Sequence, residues 1–323
     1  MVTLDDFTIQ ELRSYPNATG ELSGLLRGIG LAAKLINAKV RKAGLIDVLG
    51  AQGSVNVQGE NVQKLDAIAN DIFIKVLRSG INCAGLVSEE NEDVMIFDDF
   101  LSNESKYVVL LDPLDGSGNI GVNMDIGTIF SIVKRKSESK KPSMKKDFLQ
   151  DGKNQIAAGY VIYGSSTMLV YATNRGVNGF TLDTETGEFY LSHPDIKIPE
   201  YGKNFCFDFK YFYSVTDKTR KFIEDTLRAD AGKDAKVSLR YSGCMVADIH
   251  RNLMEGGIFL YPERKEKPQG KLRLMYECNP MAFIMEAAGG MATDGKQRIL
   301  DIHPKDIHQR SPLYIGSKGM MIQ

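Results

Sequence analysis

The 323-residue chain has no tryptophan, only four histidines and only four cysteines, Cys83, Cys206, Cys244 and Cys278. Thiols so few and so far apart, with no C-x-x-C pair, exclude a disulfide framework and a cysteine-built zinc site; reduced thiols in a cytoplasmic protein are the simplest account. Scattered histidines exclude a His-rich zinc site, and His303 and His308 stand in ordinary polar surroundings. Forty basic against 41 acidic residues give a formal net charge of −1, which argues against a dedicated nucleic-acid binder. No run approaches the ~20 apolar residues of a membrane helix, and no leader pattern or fixed-period repeat is present. What is present, 43% hydrophobic residues over this length, suffices for a sizeable core and suggests two domains or one large one.

Residues 107–120 read YVVLLDPLDGSGNI. An apolar run entering Asp112 predicts a buried strand that stops at Pro113, delivering Asp112 and Asp115 together at its tip. Gly116 and Gly118 allow a tight turn whose N–H groups can face an anion, so carboxylates and a phosphate cradle lie side by side. Such neighbours repel unless a hard cation, Mg²⁺ or Mn²⁺, comes between them. Taken alone, D-P-L-D-G is equally a common turn. A second strand end, AGLVSEE, places Glu89 and Glu90 about 25 residues earlier, and parallel pairing would bring both tips to one sheet edge, where ligands of open α/β sheets collect.

Residues 19–44 have helical spacing, with Thr19 at the N-cap and Glu21 in the first turn. Residues 50–59, rich in glycine, read as a mobile loop, and residues 60–80 as a second amphipathic helix carrying Glu60 and Asp66. Five apolar runs between residues 127 and 192 predict a largely antiparallel sheet. The lysine-rich stretch 134–146 reads as a solvated loop. A proline- and charge-rich stretch at 193–203 marks a boundary between domains 1–194 and 195–323. Beyond it follow a helix at 216–229, a strand–helix–strand unit at 237–262 and a helix with Glu277 near its start. Arg240, Tyr241, Tyr261, Lys271 and Arg273 offer donors for phosphate or sugar oxygens.

The blocks VQGENVQKLD, LVSEE, DPLDGSGNI, RYSGCMVADIHR, GKLRLMYECNPMAFIMEAAGGMA and DIHQRSP, in this order from about residue 19 to 316, resemble class I fructose-1,6-bisphosphatases. These form a branch of the Mg²⁺-dependent, lithium-sensitive sugar and inositol phosphatases. The resemblance implies a layered α/β fold, release of the 1-phosphate from fructose 1,6-bisphosphate, and roughly two or three Mg²⁺ or Mn²⁺ ions per subunit. It implies metal ligation by Glu60, Glu89, Asp112, the Leu114 carbonyl, Asp115 and Glu277, with Asp66 and Glu90 handling the attacking water. Asp115, Gly116, Ser117, Gly118 and Arg273 would hold the 1-phosphate. Asp208, Tyr211, Tyr241, Met245, Tyr261 and Lys271 would hold the sugar and 6-phosphate, with Arg240 reaching in from a neighbouring subunit of a homotetramer. An inhibitory AMP site would comprise Thr19, Gly20, Glu21, Leu22, Ser23, Lys106, Tyr107 and Lys134, where Lys134 lacks the fork of the arginine usual in animal members.

Two departures stand out. Gly118 replaces a serine, and Asp208 stands where many members have asparagine, so that Asn204 is an alternative contact and the anion would repel a 6-phosphate unless Lys271 or Arg240 compensates. A sedoheptulose 1,7-bisphosphatase or another sugar phosphatase is the second reading. A non-catalytic regulator that binds AMP or sugar phosphate is the third.

Overall fold

A computed structural model describes residues 1–13, 19–46, 48–55, 61–80, 82–229 and 237–321. Its centre is an eight-stranded sheet in the spatial order Glu188–His193, Gly176–Asp183, Thr167–Thr173, Gln155–Tyr163, Ile126–Lys134, Tyr107–Asp115, Gly85–Ser88 and Met95–Ile96. Every pairing is antiparallel except that of Gly85–Ser88 with Tyr107–Asp115. The middle strands read as near-continuous apolar runs because both faces are covered. Alternate residues serve opposite layers: Phe130, Val161 and Leu169 meet helices Glu21–Val40 and Lys64–Ser79, while Ile129, Tyr160 and Val170 meet helices Met245–Glu255 and Asn279–Ala287.

The second helix pair also packs on a five-stranded mixed sheet ordered Ser238–Leu239, Asn204–Cys206, Gly257–Tyr261, Leu313–Gly316 and Met291–Thr293. Phe259 points to that inner helix layer, whereas Ile258 and Leu260 point outward to Ile223 of helix Asp217–Ala229. The result is five alternating layers, helix–sheet–helix–sheet–helix, which is the mixed α/β class expected. One continuous core cluster links residues of both sheets. No helix among the described residues is long and apolar enough to cross a membrane.

Local structure corrects several expectations. Ala51–Val55 is a strand paired antiparallel with Asn61–Gln63, not a loop; residues 56–60, with Glu60, lie outside the described residues. The following helix starts at Lys64, so Val62 belongs to the strand. Gly20, not Thr19, is the N-cap of the helix Glu21–Val40; its φ of 81° suits glycine, and the Thr19 hydroxyl instead donates to Glu21 at 2.9 Å. Within the lysine-rich stretch the lysines are surface groups but Arg135 is buried. Its guanidinium donates to Ser137 Oγ and to the Asn103 and Lys141 carbonyls, and Asp147 binds the Ser137 hydroxyl at 2.6 Å, so this segment is a hydrogen-bonded structure rather than a solvated loop.

Candidate active site

The one parallel pairing of the eight-stranded sheet builds the acidic edge. Ser88 lies opposite Leu111, so the next residues, Glu89 and Asp112, come side by side, Glu89 just past the end of its strand and Asp112 still paired with Ile129. Pro113 does not end its strand: pairing resumes at Asp115 after an irregularity between Asp112 and Asp115, and the Pro113 carbonyl accepts the Thr128 hydroxyl at 2.8 Å. A bulge tolerates proline because no ladder N–H is needed there. The Leu114 N–H donates to Asp112 Oδ1 at 3.0 Å. Gly116 then turns with φ 77°, and a side chain there would lie 2.7 Å from Cys244 Cβ. The start of helix Met245–Glu255 therefore backs directly onto this loop. From it the Val246 N–H (2.8 Å) and Cys244 thiol (3.0 Å) both donate to Asp115 Oδ2.

Two further elements complete the cluster. Asp66, in the first turn of helix Lys64–Ser79, accepts the Gln63 N–H at 2.9 Å. Glu277 is carried on a π-helical turn, Leu274–Cys278, that precedes helix Asn279–Ala287; such turns are frequent at functional sites. Arg273 is 3% exposed and ion-paired with Glu89 (2.6 Å) and Glu277 (3.7 Å). Asp66, Glu89, Glu90, Asp112, Leu114, Asp115, Gly116, Ser117, Gly118 and Glu277 all line one cavity of ≈ 290 Å³, together with Tyr241, Met245, Tyr261, Lys271 and Arg273.

The charges in this cavity do not balance. The four carboxylates of Glu89, Asp112, Asp115 and Glu277, ionised around the one guanidinium of Arg273, would leave a net charge of −3. Burial, reinforced by Glu89, Asp115 and Glu277, raises the Asp112 carboxyl well above its usual range despite Arg273. Burial also pushes Asp115 up to about 6, against the Val246 N–H, and Glu277 up to about 8, against Arg273. Among the described residues no group of three or more His, Cys, Asp or Glu side chains already stands as a metal cage, and Glu89 and Glu277 are instead ion-paired with Arg273. The donors still fit a hard divalent cation: all are oxygen, and excess buried negative charge is what such an ion relieves.

At the sugar end the structure divides the expected set. Asp208 and Tyr211 line an adjoining shallow depression that shares Tyr261 with the main cavity. Arg240 lines neither and donates to its neighbouring Leu239 carbonyl at 3.4 Å. Asn204, the alternative to Asp208, is buried in its strand and bonded to Glu255 and the Gly256 carbonyl, which removes it from the site. Two cations escaped the sequence reading. Lys210 pairs with Asp208 at 2.7 Å, and Arg264 stacks over the Tyr211 ring at 4.0 Å. Lys210 was detectable as a cation two residues from the departure, but Arg264 carried no local sign.

A second cavity, ≈ 560 Å³, is lined by all eight of Thr19, Gly20, Glu21, Leu22, Ser23, Lys106, Tyr107 and Lys134. Thr8, Glu11, Gln155, Tyr171 and Asn174 join them and had not been expected. Burial alone would raise Glu21, but the Lys106 ammonium (2.8 Å), the Lys106 N–H (3.0 Å) and the Thr19 hydroxyl hold it below the usual carboxylate range.

An acid-lined pocket beside a glycine-rich turn, with a buried arginine and a lysine at its far wall, has the chemistry for a phosphate ester held next to divalent cations. The comparisons with known proteins agree with that class. Residues 2–194 match the family model "Fructose-1-6-bisphosphatase, N-terminal domain", and residues 198–323 match its C-terminal domain. The chain is 52% identical over 319 residues to the class 1 fructose-1,6-bisphosphatase of Cytophaga hutchinsonii, covering 99% of this chain and 92% of that protein. Two crystal structures of the Leishmania major fructose-1,6-bisphosphatase share the fold. The holo form has TM-score 0.91 at 35% identity, covering 99% of this chain and 97% of the other. The apo form has TM-score 0.87 at 34% identity, covering 99% and 96%. The chain belongs to the fructose-1,6-bisphosphatase family.

Proposed function

We propose that this protein hydrolyses fructose 1,6-bisphosphate at its 1-phosphate, giving fructose 6-phosphate and phosphate, and is inhibited by AMP. The observation that carries the reading is the convergence, in one cavity, of six acidic residues from four separate segments around the loop of Gly116, Ser117 and Gly118. Glu89, Asp112, the Leu114 carbonyl, Asp115 and Glu277 would hold Mg²⁺ or Mn²⁺, roughly two or three ions per subunit. Bound there, such ions supply Lewis acidity to the phosphoryl and leaving oxygens.

The chain's own groups do the remaining work. N–H groups of the loop after Asp115, with Arg273, orient the 1-phosphate. Asp66 and Glu90 orient the attacking water, and one of them receives its proton. No residue needs to act as a nucleophile, since phosphoryl transfer is catalysed by positioning and charge neutralisation. Tyr241, Met245, Tyr261 and Lys271 face the sugar, and Asp208 and Tyr211 the 6-phosphate. Lys210 neutralises Asp208 there, which favours the fructose bisphosphate over the sedoheptulose reading. Arg240, which does not line its own cavity, suits a donor offered to a neighbouring copy in a homotetramer.

In the second cavity AMP phosphate would take Lys106 from Glu21, with Lys134 beside it. Residues 1–194 would carry the AMP pocket and most of the acids, and residues 195–323 Glu277, Arg273 and the sugar end. Four buried free cysteines suit a reducing cytoplasm. Phosphate release from a panel of sugar bisphosphates, with Mg²⁺, Mn²⁺, EDTA and AMP, tests the whole reading. Turnover of fructose 1,6-bisphosphate that EDTA abolishes and AMP lowers is expected. No release from any bisphosphate would leave the non-catalytic regulator.

A further inference from the structure

Glu90 stands on the turn that follows strand Gly85–Ser88, and the residue after it, Asn91, is held from three directions. Its N–H donates to the Ser88 carbonyl at 3.2 Å. Its side-chain oxygen accepts Asn70 Nδ2–H at 3.0 Å, and Asn70 lies one helical turn beyond Asp66 on the same face of helix Lys64–Ser79. Its carbonyl oxygen lies 3.0 Å from His308 Nε2, which is also 3.2 Å from the Glu92 carbonyl. Carbonyls only accept, so Nε2 carries a proton, and in that tautomer the other ring nitrogen is an acceptor. That acceptor, Nδ1, meets the hydroxyl of Tyr276 at 2.8 Å, and Tyr276 is fully buried and immediately precedes Glu277. A histidine 217 positions away in sequence thereby joins the turn bearing Glu90 to the turn bearing Glu277.

We propose that Asn91 is a positioning residue, anchored by Asn70 and His308, that sets Glu90 at a fixed place between Asp66 and the acids around Glu277. This rests on the reading of Asp66 and Glu90 as the pair that handles the attacking water. None of the three groups lines the cavity, so each acts through Glu90 rather than on substrate. A free Glu90 turn would sample positions in which its carboxylate no longer meets the water, and turnover would fall while substrate binding survived.

The experiment compares Asn70→Ala, His308→Phe and His308→Gln, each alone and combined with Glu90→Gln, by steady-state phosphate release and by amide hydrogen exchange of residues 88–92. Asn70→Ala and His308→Phe should lower kcat by about 10- to 100-fold with KM within about twofold. His308→Gln, which can still donate and accept, should recover most of the loss. In the Glu90→Gln background the same substitutions should cost nothing further, because the group they position is gone. Exchange at residues 88–92 should quicken while helix Lys64–Ser79 stays protected. Unchanged exchange overturns the proposal even if the protein hydrolyses no bisphosphate, and additive kcat losses overturn it if it does. Wild-type inactivity with quickened exchange would sink the assigned reaction and leave the anchoring intact. Asn70→Ala, which removes one hydrogen bond, is the variant to read if His308→Phe does not fold.

Discussion

The two cavities treat charge in opposite ways. Around Glu277 the acids outnumber their one buried arginine and are driven by burial toward protonation, whereas in the second cavity Glu21 is paired with Lys106 and kept ionised. The first cavity is thus unfinished as a bare protein, and a cation relieves it. The second is already satisfied, and an anion entering it has to displace a carboxylate from its lysine. Catalytic sites are built in the first manner, where stored unfavourable charge is released on loading; a site that answers to ligand concentration is built in the second.

The sharpest way to break this contrast is to remove an acid from the unfinished cavity. Asp115→Ala, or the isosteric Asp112→Asn, should reduce phosphate release by about 10³-fold or more with circular dichroism unchanged. Activity retained in excess Mg²⁺ would show that the acids are not the machinery. In the second cavity, Lys106→Ala should weaken inhibition by AMP about tenfold or more, since it deletes a cation and leaves Glu21 to repel phosphate. An unaltered AMP dose–response would remove that cavity from the argument. A smaller effect is expected where the two styles meet, at Asp208. Lys210→Ala should raise KM about 3- to 10-fold at constant kcat, and adding Asp208→Asn should restore it. Failure of that rescue would mean that Lys210 acts on something other than Asp208.

The last test concerns stability. Asp115 and Glu277 have folded-state values raised to about 6 and about 8 from 3.8 and 4.5. A raised carboxyl contributes stability that is complete below the unfolded value and is lost as pH climbs through the folded one. Protein kept in EDTA should therefore show a falling thermal midpoint between about pH 4 and 8, and saturating Mg²⁺ should flatten the curve. Glu21, lowered in the fold, acts in the opposite sense: its contribution is complete above the unfolded value of 4.5 and is lost as pH falls through the lower folded one. Glu21→Gln should remove only that acid-side limb.

Much of this was legible in the chain. The parallel pairing of two acid-ended strands follows from apolar runs that stop at carboxylates, and helix faces follow from spacing. What escaped depended on partners distant in sequence. Proline's veto on a strand failed at Pro113 because a bulge there asks for no N–H. Arg135 read as one more surface cation, although its acceptors lie in segments around 103 and 141. His308 looked ordinary because nothing near it in the chain announces Tyr276 or Asn91. Arg273 was assigned to phosphate, and its ion pair with Glu89, on a segment far away in the chain, had no local sign.

Strand Tyr107–Asp115 touches both cavities: its first residue borders the larger one, and its last residues carry Asp112 and Asp115 into the smaller. Its nine residues of extended backbone span about 27 Å, paired on one flank from Tyr107 to Asp112 and on the other at Val109–Leu111. The two pockets therefore stand at opposite ends of one strand. A guest that displaced Tyr107 would press on the same strand that presents Asp112 and Asp115, so the two cavities have a structural element in common.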